Sequence, residues 1–529
     1  MIKLPITRFL LFFVAIGILV SCGEEKKKRQ LSLPKTDLKA VSIIPLPQKV
    51  IATETGFALD KFSAIFTTET ANGFAEVGAF LSEKIQGKTN LDIAVNSGQN
   101  DSLEGIIYIN RSDSLELKTP ESYQLYIRSD SIIINSNSAA GAFRAVQTLR
   151  QLIPETANDT LADYPIWAIP TGKIVDAPSL AYRGAMLDVA RHFFSVADVK
   201  KFIDVLAYYK YNGLHLHLSD DQGWRIEIKS WPKLTEIGAS TEVGGESGGF
   251  YTQEDFKEIV AYAEKHHMMI IPEIDMPGHT NAASVSYPIL NGNGKTLKPY
   301  EGTRVGFSTF DTRKDTVYAF IDDVVREIAE ISPSPYFHIG GDESHVTKKK
   351  DYIHFVEKVE KIVQKHGKRM IGWDEIGTAD VDSSSISQFW SSTENAKLAV
   401  AKGMQIIMSP AKKAYLDMQY DSLSKHGLHW AAFIPVDTAY NWSPKAYEGI
   451  PEKNILGLEA PLWSETISTI SELEYLAFPR AIGYAELGWT SKKLRNWDTY
   501  KKRLADQEYY LKRMNVNYYK SALVPWESQ

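Results

Sequence analysis

The sequence predicts a (β/α)8 barrel, the TIM-barrel form of an α/β fold, preceded by a small α+β domain. From Tyr182 onward, eight short apolar runs alternate with stretches that carry amphipathic helical patterns. The chemically reactive side chains of this region follow the apolar runs directly, and barrel enzymes build their sites at such C-terminal strand ends. Before Tyr182 a predicted hairpin precedes a helix. A doubly wound parallel sheet is the alternative for the second region.

Length and composition describe a large globular protein. The 529 residues are too many for one ordinary domain. Apolar residues make up 44% of the chain and charged residues 23%, which is typical of water-soluble folds. The net charge of −6 and a pI near 6.1 argue against nucleic acid as a partner, because nucleic-acid-binding domains are usually strongly basic. Neutral or weakly polar ligands fit this charge better.

Residues 1–22 have the pattern of a lipoprotein signal peptide. Lys3 and Arg8 form a basic start, Phe9–Val20 is apolar, and Leu-Val-Ser-Cys ending at Cys22 resembles a lipobox. We therefore expect lipidation of Cys22 and an exported protein anchored through this lipid to a bacterial membrane, at the periplasm or the cell surface. An ordinary secreted protein cut near Ser21 is the alternative. Since Cys22 is the only cysteine, an intrachain disulfide is excluded.

Two further segments precede the predicted barrel. Residues 23–40 are polar and charged without apolar periodicity, which predicts a flexible tether. Residues 41–175 are predicted to form the N-terminal α+β accessory domain. In it, apolar runs at 123–127 and 132–134 flank a polar turn and predict a hairpin, and helical spacing follows over 139–153. None of these residues indicates catalysis.

Residues 176–529 are predicted to form the catalytic barrel. Helices are expected behind Ser195 and Thr252, which have the composition of N-caps followed by amphipathic stretches. The eight predicted strands are Gly184–Val189, Gly213–Leu218, Met268–Ile274, Tyr336–Ile339, Met370–Trp373, Ser387–Trp390, Gln405–Met408 and Ile455–Glu459.

The fourth predicted strand delivers two adjacent carboxylates to its open end. Gly340 and Gly341 precede Asp342 and Glu343, and consecutive glycines let the backbone take positive φ or approach a ligand closely. Such a pair can supply one proton donor and one fixed negative charge. Further polar or aromatic residues follow the other strands, namely Asp188, Arg191, Asp220, Asp221, Asp275, His279, Trp373, Asp374, Glu375, Trp390, Tyr415, Asp417, Trp463 and Glu465.

Two histidines on one strand could also belong to a metal site. His215 and His217 point to the same face of a strand, and a His-x-His pair also begins the zinc site of metal-dependent barrel hydrolases. His279 and His338 could complete such a site, but the carboxylate pair and the tryptophans would then have no role. We therefore expect buried, hydrogen-bonded histidines and no metal or other cofactor.

Five tryptophans fall in the second half of the barrel, at strand ends or in loops. Several flat aromatic faces in one region favour a sugar-binding pocket over simple core packing. They are Trp373, Trp390, Trp430, Trp442 and Trp463.

Four stretches, 182–193, 215–224, 272–279 and 338–343, resemble the conserved blocks of glycoside hydrolase family 20, the β-N-acetylhexosaminidases. The resemblance covers the chain from about residue 41 to the C terminus. It implies a retaining, substrate-assisted mechanism in which the enzyme supplies no nucleophile. It also implies a pocket that is closed around a terminal sugar, and hence exo-action.

The resemblance implies three catalytic residues. Glu343 would be the general acid and later the general base. Asp342 would hold the N–H of the substrate's 2-acetamido group, so that its carbonyl oxygen attacks the anomeric carbon and gives an oxazoline-type intermediate. Tyr415 would donate to that carbonyl oxygen.

The resemblance also implies a set of substrate-binding residues. Trp373, Trp390 and Trp463 would wall the acetamido group, and the cluster of five tryptophans adds Trp442 to the expected pocket. Ligands of the sugar hydroxyls would be Arg183, Asp417 and Glu465, and the support of Glu343 would be Asp220 with His279, Asp221 being the alternative to Asp220.

The sequence thus predicts an exo-acting glycosidase that removes terminal β-linked GlcNAc or GalNAc from glycans or oligosaccharides. A non-catalytic glycan-binding lipoprotein and a metal-dependent barrel hydrolase are the alternatives. Segments 244–249 and 423–451 fit the resemblance least well, and we expect them to shape the outer subsites. The preference between the two sugars, release of a monosaccharide or a disaccharide, and the oligomeric state stay open.

Overall fold

A computed structural model describes residues 31, 33–68, 73–98, 104–158, 163–292 and 297–526. The predicted signal peptide, Cys22 and residues 23–30 of the predicted tether lie outside the described residues. Leu33–Gln529 form one compact unit. Among the described residues, none of the helices combines the length and the apolar character that a membrane crossing requires.

The N-terminal part is a seven-stranded mixed sheet with two helices. The predicted hairpin is confirmed, since Tyr123 pairs with Ser136 and Ile127 with Ile132 in antiparallel register. The strand order is β1-β7-β5-β6-β4-β2-β3. The elements are β1 (Lys49–Leu59), β2 (Ala64–Thr67), α1 (Phe74–Thr89), β3 (Val95–Ser97), β4 (Ile106–Arg111), β5 (Tyr123–Ile127), β6 (Ser131–Ser136), α2 (Ala139–Leu152) and β7 (Trp167–Asp176).

The predicted tether is wrong over its last described residues. Leu38 is fully buried in the core, and Leu38–Ala40 form a 3-10 helix behind an Asp37 cap. Thr36 N–H donates to the carbonyl of Glu54 in β1. The cause is that two apolar side chains, Leu33 and Leu38, interrupt the polar stretch and pack on the first sheet.

The second part is a closed parallel barrel of eight strands, as predicted. Each strand pairs with its neighbour in parallel register, and the last closes on the first through Gly457 opposite Tyr182. The strands are β8 (Tyr182–Asp188), β9 (Gly213–His217), β10 (Met269–Glu273), β11 (Tyr336–His338), β12 (Arg369–Trp373), β13 (Ile386–Phe389), β14 (Gln405–Met408) and β15 (Ile455–Leu462).

Helices connect most of these strands. The two predicted caps are confirmed, because Ser195 and Thr252 each form a reciprocal capping box with the aspartate three residues later. The α-helices are α3 (Val196–Tyr208), α4 (Lys233–Glu236), α5 (Gln253–Lys265), α6 (Asn281–Ser286), α7 (Asp315–Ile331), α8 (Lys349–Lys365), α9 (Thr393–Ala401), α10 (Ala411–Ala414), α11 (Val436–Tyr440), α12 (Ile470–Ala477), α13 (Arg480–Trp489), α14 (Trp497–Asp506) and α15 (Glu508–Arg513). The remaining 3-10 helices are Pro288–Leu290, Asp374–Thr378, Glu452–Asn454 and Lys492–Leu494.

A buried ion cluster ties the two parts together. Glu121, which precedes β5, accepts from Arg144 Nε of α2 at 2.7 Å. The same carboxylate accepts two bonds from Arg183 Nη2 of β8, at 2.7 and 2.8 Å. Burial raises the pKa of Glu121, but the two guanidinium charges outweigh it and lower the pKa to about 2. The carboxylate is therefore ionised, and it holds the sheet against the N-terminal end of the barrel.

The backbone after β11 is arranged to turn two carboxylates into the barrel mouth. Gly340 and Gly341 have φ of +65° and +99°, as the two glycines predict. A Cβ on Gly340 would lie 1.9 Å from Asp275 Oδ1, so this position requires glycine. Glu343 itself has φ of +44°, a strained value for a side-chain-bearing residue that is typical of functional sites.

Candidate active site

A cavity of about 260 Å³ opens at the C-terminal ends of the barrel strands. It contains seven of the residues predicted to be catalytic or substrate-binding, contributed by the segments after β11, β13, β14 and β15. A larger cavity of about 890 Å³ lies at the opposite end of the barrel, beside Glu121. The carboxylate pair lies in the smaller one, whose lining is Arg191, Thr303, Val305, Asp342, Glu343, Trp390, Tyr415, Asp417, Leu428, Trp430, Trp463 and Glu465.

Glu343 has the environment of a general acid. Its side chain is 29% exposed, so the carboxyl group faces the cavity while most of it is removed from water. Burial raises the pKa of Glu343, and the neighbouring charge of Asp342 raises it further. A carboxylic acid that keeps its proton at a higher pH than usual can donate it to a leaving group.

His279 faces both carboxylates. Its Nε2 atom lies 3.7 Å from Asp342 Oδ2 and 3.8 Å from Glu343 Oε2. Its other nitrogen, Nδ1, lies 3.2 Å from Asp220 Oδ1. Burial opposes a charge on this imidazole, but the carboxylates around it, Asp220 first, hold the pKa of His279 well above its usual value. The imidazole is therefore protonated and shares its charge between the supporting and the reacting carboxylates.

Asp220 is the aspartate that contacts His279, and its neighbour Asp221 has other partners. Asp220 also contacts Arg191 Nη2 at 2.9 Å and His217 Nε2 at 2.8 Å. Burial would raise the pKa of Asp220, but these positive neighbours, chiefly Arg191, hold it well below the usual range. Asp221 instead accepts from the backbone N–H of Asn281 and from Ser308. Of the two aspartates, Asp220 is the one whose side chain contacts His279.

Asp342 and Tyr415 present polar groups to the cavity. Asp342 Oδ1 is buried and accepts no hydrogen bond from the part of the protein that the structure describes. Burial, followed by the charge of Asp342, holds the pKa of Tyr415 well above its usual value, so the phenol keeps its proton. These two residues thus offer one unpaired acceptor and one donor, which match an amide N–H and an amide carbonyl.

Aromatic rings enclose one side of the cavity. Trp390 lies nearly parallel to Tyr415, with ring centroids 6.5 Å apart. Trp463 lies 6.2 Å from Tyr415 and 5.8 Å from Trp373. Trp373 is completely buried beneath this wall and donates through Nε1 to Glu273 at 3.1 Å. Trp430 stands at the mouth, 57% exposed, with its ring 6.3 Å from that of Trp390.

The other side of the cavity is polar. Both carboxyl oxygens of Asp417 are buried without a hydrogen-bond partner among the described residues, and so is Arg191 Nε. Burial raises the pKa of Asp417, helped by Glu465. Burial also raises the pKa of Glu465, although Arg191 opposes it. Buried polar atoms without partners are costly, so this side is suited to a ligand rich in hydroxyl groups.

Arg183 does not lie in the cavity, and this prediction is wrong. It is the second residue of β8, which places its side chain at the N-terminal end of the barrel, where it pairs with Glu121. Arg191 occupies the cavity instead. It follows the C-terminal end of the same strand, and this position was the signal that identified it.

Trp442 also lies outside the cavity, against the prediction. Its Nε1 donates to the carbonyl of Ala439, and the ring lines a separate cavity. The tryptophan of this connection that reaches the active-site cavity is Trp430, together with Leu428. Thr303 and Val305 complete the rim, and no pattern in the sequence predicts either residue there.

The strand histidines surround a buried carboxylate. Glu273 Oε2 lies 2.5 Å from His217 Nδ1 and 2.9 Å from His215 Nε2, and its Oε1 lies 3.0 Å from His338 Nδ1. Burial would raise the pKa of Glu273, yet the three imidazoles hold it well below normal. His215 also meets Glu459 at 2.9 Å. His215 and His217 thus hydrogen-bond to buried carboxylates, and His338 Nδ1 accepts from the backbone N–H of Gly340.

Two family models match the chain. Glycosyl hydrolase family 20, catalytic domain, matches residues 180–492, and glycosyl hydrolase family 20, domain 2, matches residues 40–177. The chain belongs to glycosyl hydrolase family 20. Membership identifies this protein as a β-N-acetylhexosaminidase, a glycosidase that hydrolyses β-N-acetylhexosaminide bonds by exo-action with substrate assistance.

Individual family 20 proteins resemble the chain over most of its length. The β-N-acetylhexosaminidase of Cellulomonas fimi is 38% identical over 410 residues, which are 77% of this chain and 82% of that protein. The structure of the Streptomyces coelicolor A3(2) β-N-acetylhexosaminidase superimposes with a TM-score of 0.86 at 42% identity, covering 92% of this chain and 99% of that one. A Streptomyces plicatus β-hexosaminidase variant in complex with its product GlcNAc gives 0.87 at 41% identity, covering 94% and 100%.

Proposed function

We propose that Glu343 is the general acid and base of this family 20 enzyme and that Asp342 and Tyr415 position the substrate's acetamido group. The single observation that carries the proposal is that Asp342 and Glu343 follow one strand end and face the same His279 nitrogen, at 3.7 and 3.8 Å. Neighbours on one strand end cannot flank a sugar from opposite faces, as the two carboxylates of an ordinary retaining site must. The acetamido oxygen therefore acts as the nucleophile.

The remaining cavity carboxylates do not suit a nucleophilic role. Burial raises the pKa values of Asp417 and Glu465, which makes both groups weaker candidates for an ionised nucleophile than an ordinary carboxylate. Both groups lie with Arg191 on the polar side of the cavity. We assign these three residues to the hydroxyls of the terminal sugar and place Trp390 and Trp463 around its acetamido group, with Trp373 packed behind Trp463.

The proposed reaction forms an oxazoline in its first step and hydrolyses it in the second. The acetamido carbonyl oxygen attacks the anomeric carbon, the glycosidic bond breaks, and Glu343 gives its proton to the leaving oxygen. Asp342 stabilises the positive charge that develops on the acetamido nitrogen, while Tyr415 orients the attacking oxygen. Glu343, now ionised, then takes a proton from water, which opens the oxazoline and restores the β configuration.

The proposed substrate is a glycan that ends in β-linked GlcNAc, and the proposal includes GalNAc as the competing sugar. GlcNAc is the product bound by the Streptomyces plicatus relative, and the residues around Asp417 supply polar atoms without partners to the sugar hydroxyls. Comparison of aryl β-GlcNAc and aryl β-GalNAc hydrolysis tests this preference. Equal kcat/KM for the two sugars would contradict recognition of the 4-hydroxyl configuration by this side of the cavity.

The test of the catalytic assignment is hydrolysis of an aryl β-N-acetylglucosaminide by wild type, Glu343→Gln and Asp342→Asn, with a chelator present. Activity that survives the chelator and falls by orders of magnitude in both variants supports the assignment. Loss of activity in the chelator would favour the metal-dependent alternative. Sugar binding by an inactive wild type would favour the glycan-binding alternative.

We further propose that the enzyme is exported and attached to a bacterial membrane through a lipid on Cys22. The support is the sequence pattern alone: a basic start, an apolar stretch and the closing Leu-Val-Ser-Cys. The test is fractionation of cells that produce the full chain or Cys22→Ser. Membrane-bound activity that becomes soluble in the variant supports the anchor, and equal distribution of the two proteins contradicts it.

A further inference from the structure

A second cavity, of about 640 Å³, lies on the outer side of the barrel. Residues that follow α11 and α13 line it, among them Trp442 and Trp497, and it shares no lining residue with the active-site cavity. The tryptophan that the sequence placed in the active site thus belongs to a different concavity. We call this concavity the outer cavity.

The barrel wall separates the outer cavity from the active site. Tyr447 lines the outer cavity and packs edge-on against Phe389 of β13, with ring centroids 5.0 Å apart. The preceding residue, Gln388, reaches Glu459 in the barrel interior at 2.7 Å. Because side chains alternate along a strand, Phe389 points outward. A ligand in the outer cavity therefore lies behind β13, away from the catalytic carboxylates.

The outer cavity presents fixed aromatic surfaces. Trp442, Tyr447 and Trp497 are each half-buried, so part of each ring stays accessible. The Trp442 ring is held by its Nε1 bond to the carbonyl of Ala439 at 3.0 Å, and Trp497 packs against Tyr440 with centroids 6.0 Å apart. Rings that are already fixed lose little entropy when a ligand packs on them. They suit the apolar C–H faces of sugar rings.

Polar groups beside these rings have unused hydrogen-bonding capacity. Arg495 donates to the carbonyl of Trp442 at 3.2 Å, but its Nε is buried without a partner among the described residues. Within that part of the chain, no carboxylate lies at ion-pair distance from Arg495, in contrast to Arg503, which pairs with Glu486. Asn441 and Asn496 are exposed on the same lining. Amide and guanidinium groups bind sugar hydroxyls, which both donate and accept.

We propose that the outer cavity is a second saccharide-binding site, which holds a part of a β-linked N-acetylhexosamine glycan away from the catalytic centre. The identity of the sugar rests on the proposed function, whereas the preference for a saccharide rests on the lining. The lining combines aromatic faces with amides, and its charged groups are Lys492, Arg495 and Asp498. A second contact with a polymeric glycan raises the effective concentration of its chain ends at the active site.

The decisive experiment is a titration of Glu343→Gln with a tetrasaccharide of β-1,4-linked GlcNAc. The inactive enzyme should bind two equivalents. In the same background, Trp442→Ala and Arg495→Leu should each weaken one of the two sites about tenfold or more, because truncation of a central aromatic or arginine commonly has this effect. Trp526→Ala is the matched control, since Trp526 is likewise half-buried and bonded through Nε1 to a backbone carbonyl, outside this cavity.

The same substitutions in the active enzyme, without Glu343→Gln, distinguish the second-site proposal from the catalytic proposal. Trp442→Ala, Arg495→Leu and the conservative Arg495→Gln should hydrolyse an aryl β-N-acetylglucosaminide like wild type, which also reports correct folding. The first two should be retained less by insoluble chitin. A single equivalent of bound tetrasaccharide, or unchanged chitin retention, would overturn the second site even though catalysis stands. An inactive wild type would instead refute the catalytic proposal. The number of bound tetrasaccharide equivalents would still decide whether the second site exists.

Discussion

His279 and Glu343 face each other across 3.8 Å, from Nε2 to Oε2. The same imidazole nitrogen lies 3.7 Å from Asp342. Glu343 thus has two charged neighbours of opposite effect on its pKa: Asp342 raises it and protonated His279 lowers it, in addition to the increase from burial. The pH at which the general acid loses its proton is therefore set by the balance between these neighbours.

We expect the two neighbours to move the pH profile in opposite directions. A general acid must be protonated, so kcat/KM falls as pH rises through the pKa of Glu343. His279→Gln removes the positive neighbour, raises that pKa and moves the basic limb to higher pH. Asp342→Asn removes the negative neighbour and moves it to lower pH. The measurement is kcat/KM against pH for a substrate with a poor leaving group, which requires the acid. If the basic limb moved in the same direction in both variants, the result would contradict this geometry.

The two arginines associated with β8 should differ in what they affect. Arg191→Met should lower kcat/KM by about 10- to 100-fold, because hydrogen bonds to charged groups contribute roughly 1.5–3 kcal/mol. Arg183→Met should leave kcat/KM of the folded enzyme unchanged and lower the free energy of unfolding, since it leaves Glu121 with one guanidinium partner only. Kinetics and chemical denaturation of the two variants check this. A larger kinetic defect in Arg183→Met would restore the sequence prediction.

The contrast between these arginines shows how far the sequence determined the site. The eight strands are predictable because each is a short apolar run, and the residues after them converge because all strands run parallel. By this rule Arg191, beyond the strand end, belongs to the site, and Arg183, at the strand start, does not. The family resemblance implied Arg183, but the direction of β8 places this residue at the opposite end of the barrel.

Other parts of the site were not predictable from local pattern. Trp430 and Trp442 lie in the same long connection between β14 and β15, whose only regular elements are very short helices. Without a periodic element, no rule decides which of two tryptophans turns toward the barrel mouth. Thr303 and Val305 likewise reach the rim from an irregular segment between β10 and α7. Such positions depend on tertiary packing alone.

Tyr415→Phe should test the acetamido assignment without removing the aromatic wall. The variant keeps the ring that lies beside Trp390 and Trp463 but loses the phenolic donor. Removal of one donor to a developing charge typically lowers kcat about 10²- to 10³-fold. We expect a loss in kcat of this size with a small change in KM. A defect confined to KM would mean that Tyr415 only binds the substrate.

Glu273→Gln should act on catalysis from outside the cavity. The charge of Glu273 raises the pKa of His217, whose two nitrogens contact Glu273 and Asp220. A neutral His217 removes one positive charge from the group formed by Asp220, His279 and Glu343, while Asp220 stays ionised beside Arg191. We therefore expect a reduced kcat and a basic limb displaced upward, in the direction of His279→Gln but by less. Glu459→Gln is the matched control, because Glu459 contacts His215 and not His217.

The Glu121 cluster should make stability depend on acid in a defined pH window. The pKa of Glu121 is about 2 in the folded protein against an ordinary 4.5, so its contribution is complete above pH 4.5 and is lost as pH falls toward 2. This lowered pKa corresponds to about 3 kcal/mol of stability at neutral pH, at 1.36 kcal/mol per pKa unit.

Glu121→Gln should remove this pH dependence and destabilise the protein at pH 7 by roughly 3–5 kcal/mol, because two buried guanidinium groups lose their counter-ion. Urea denaturation between pH 2 and pH 7 measures both effects, with the exposed Glu54→Gln as control. Since Glu121 lies at the end of the barrel opposite to the catalytic carboxylates, kcat/KM of the folded variant should equal that of wild type, and a kinetic defect would mean that the sheet also orders the active site.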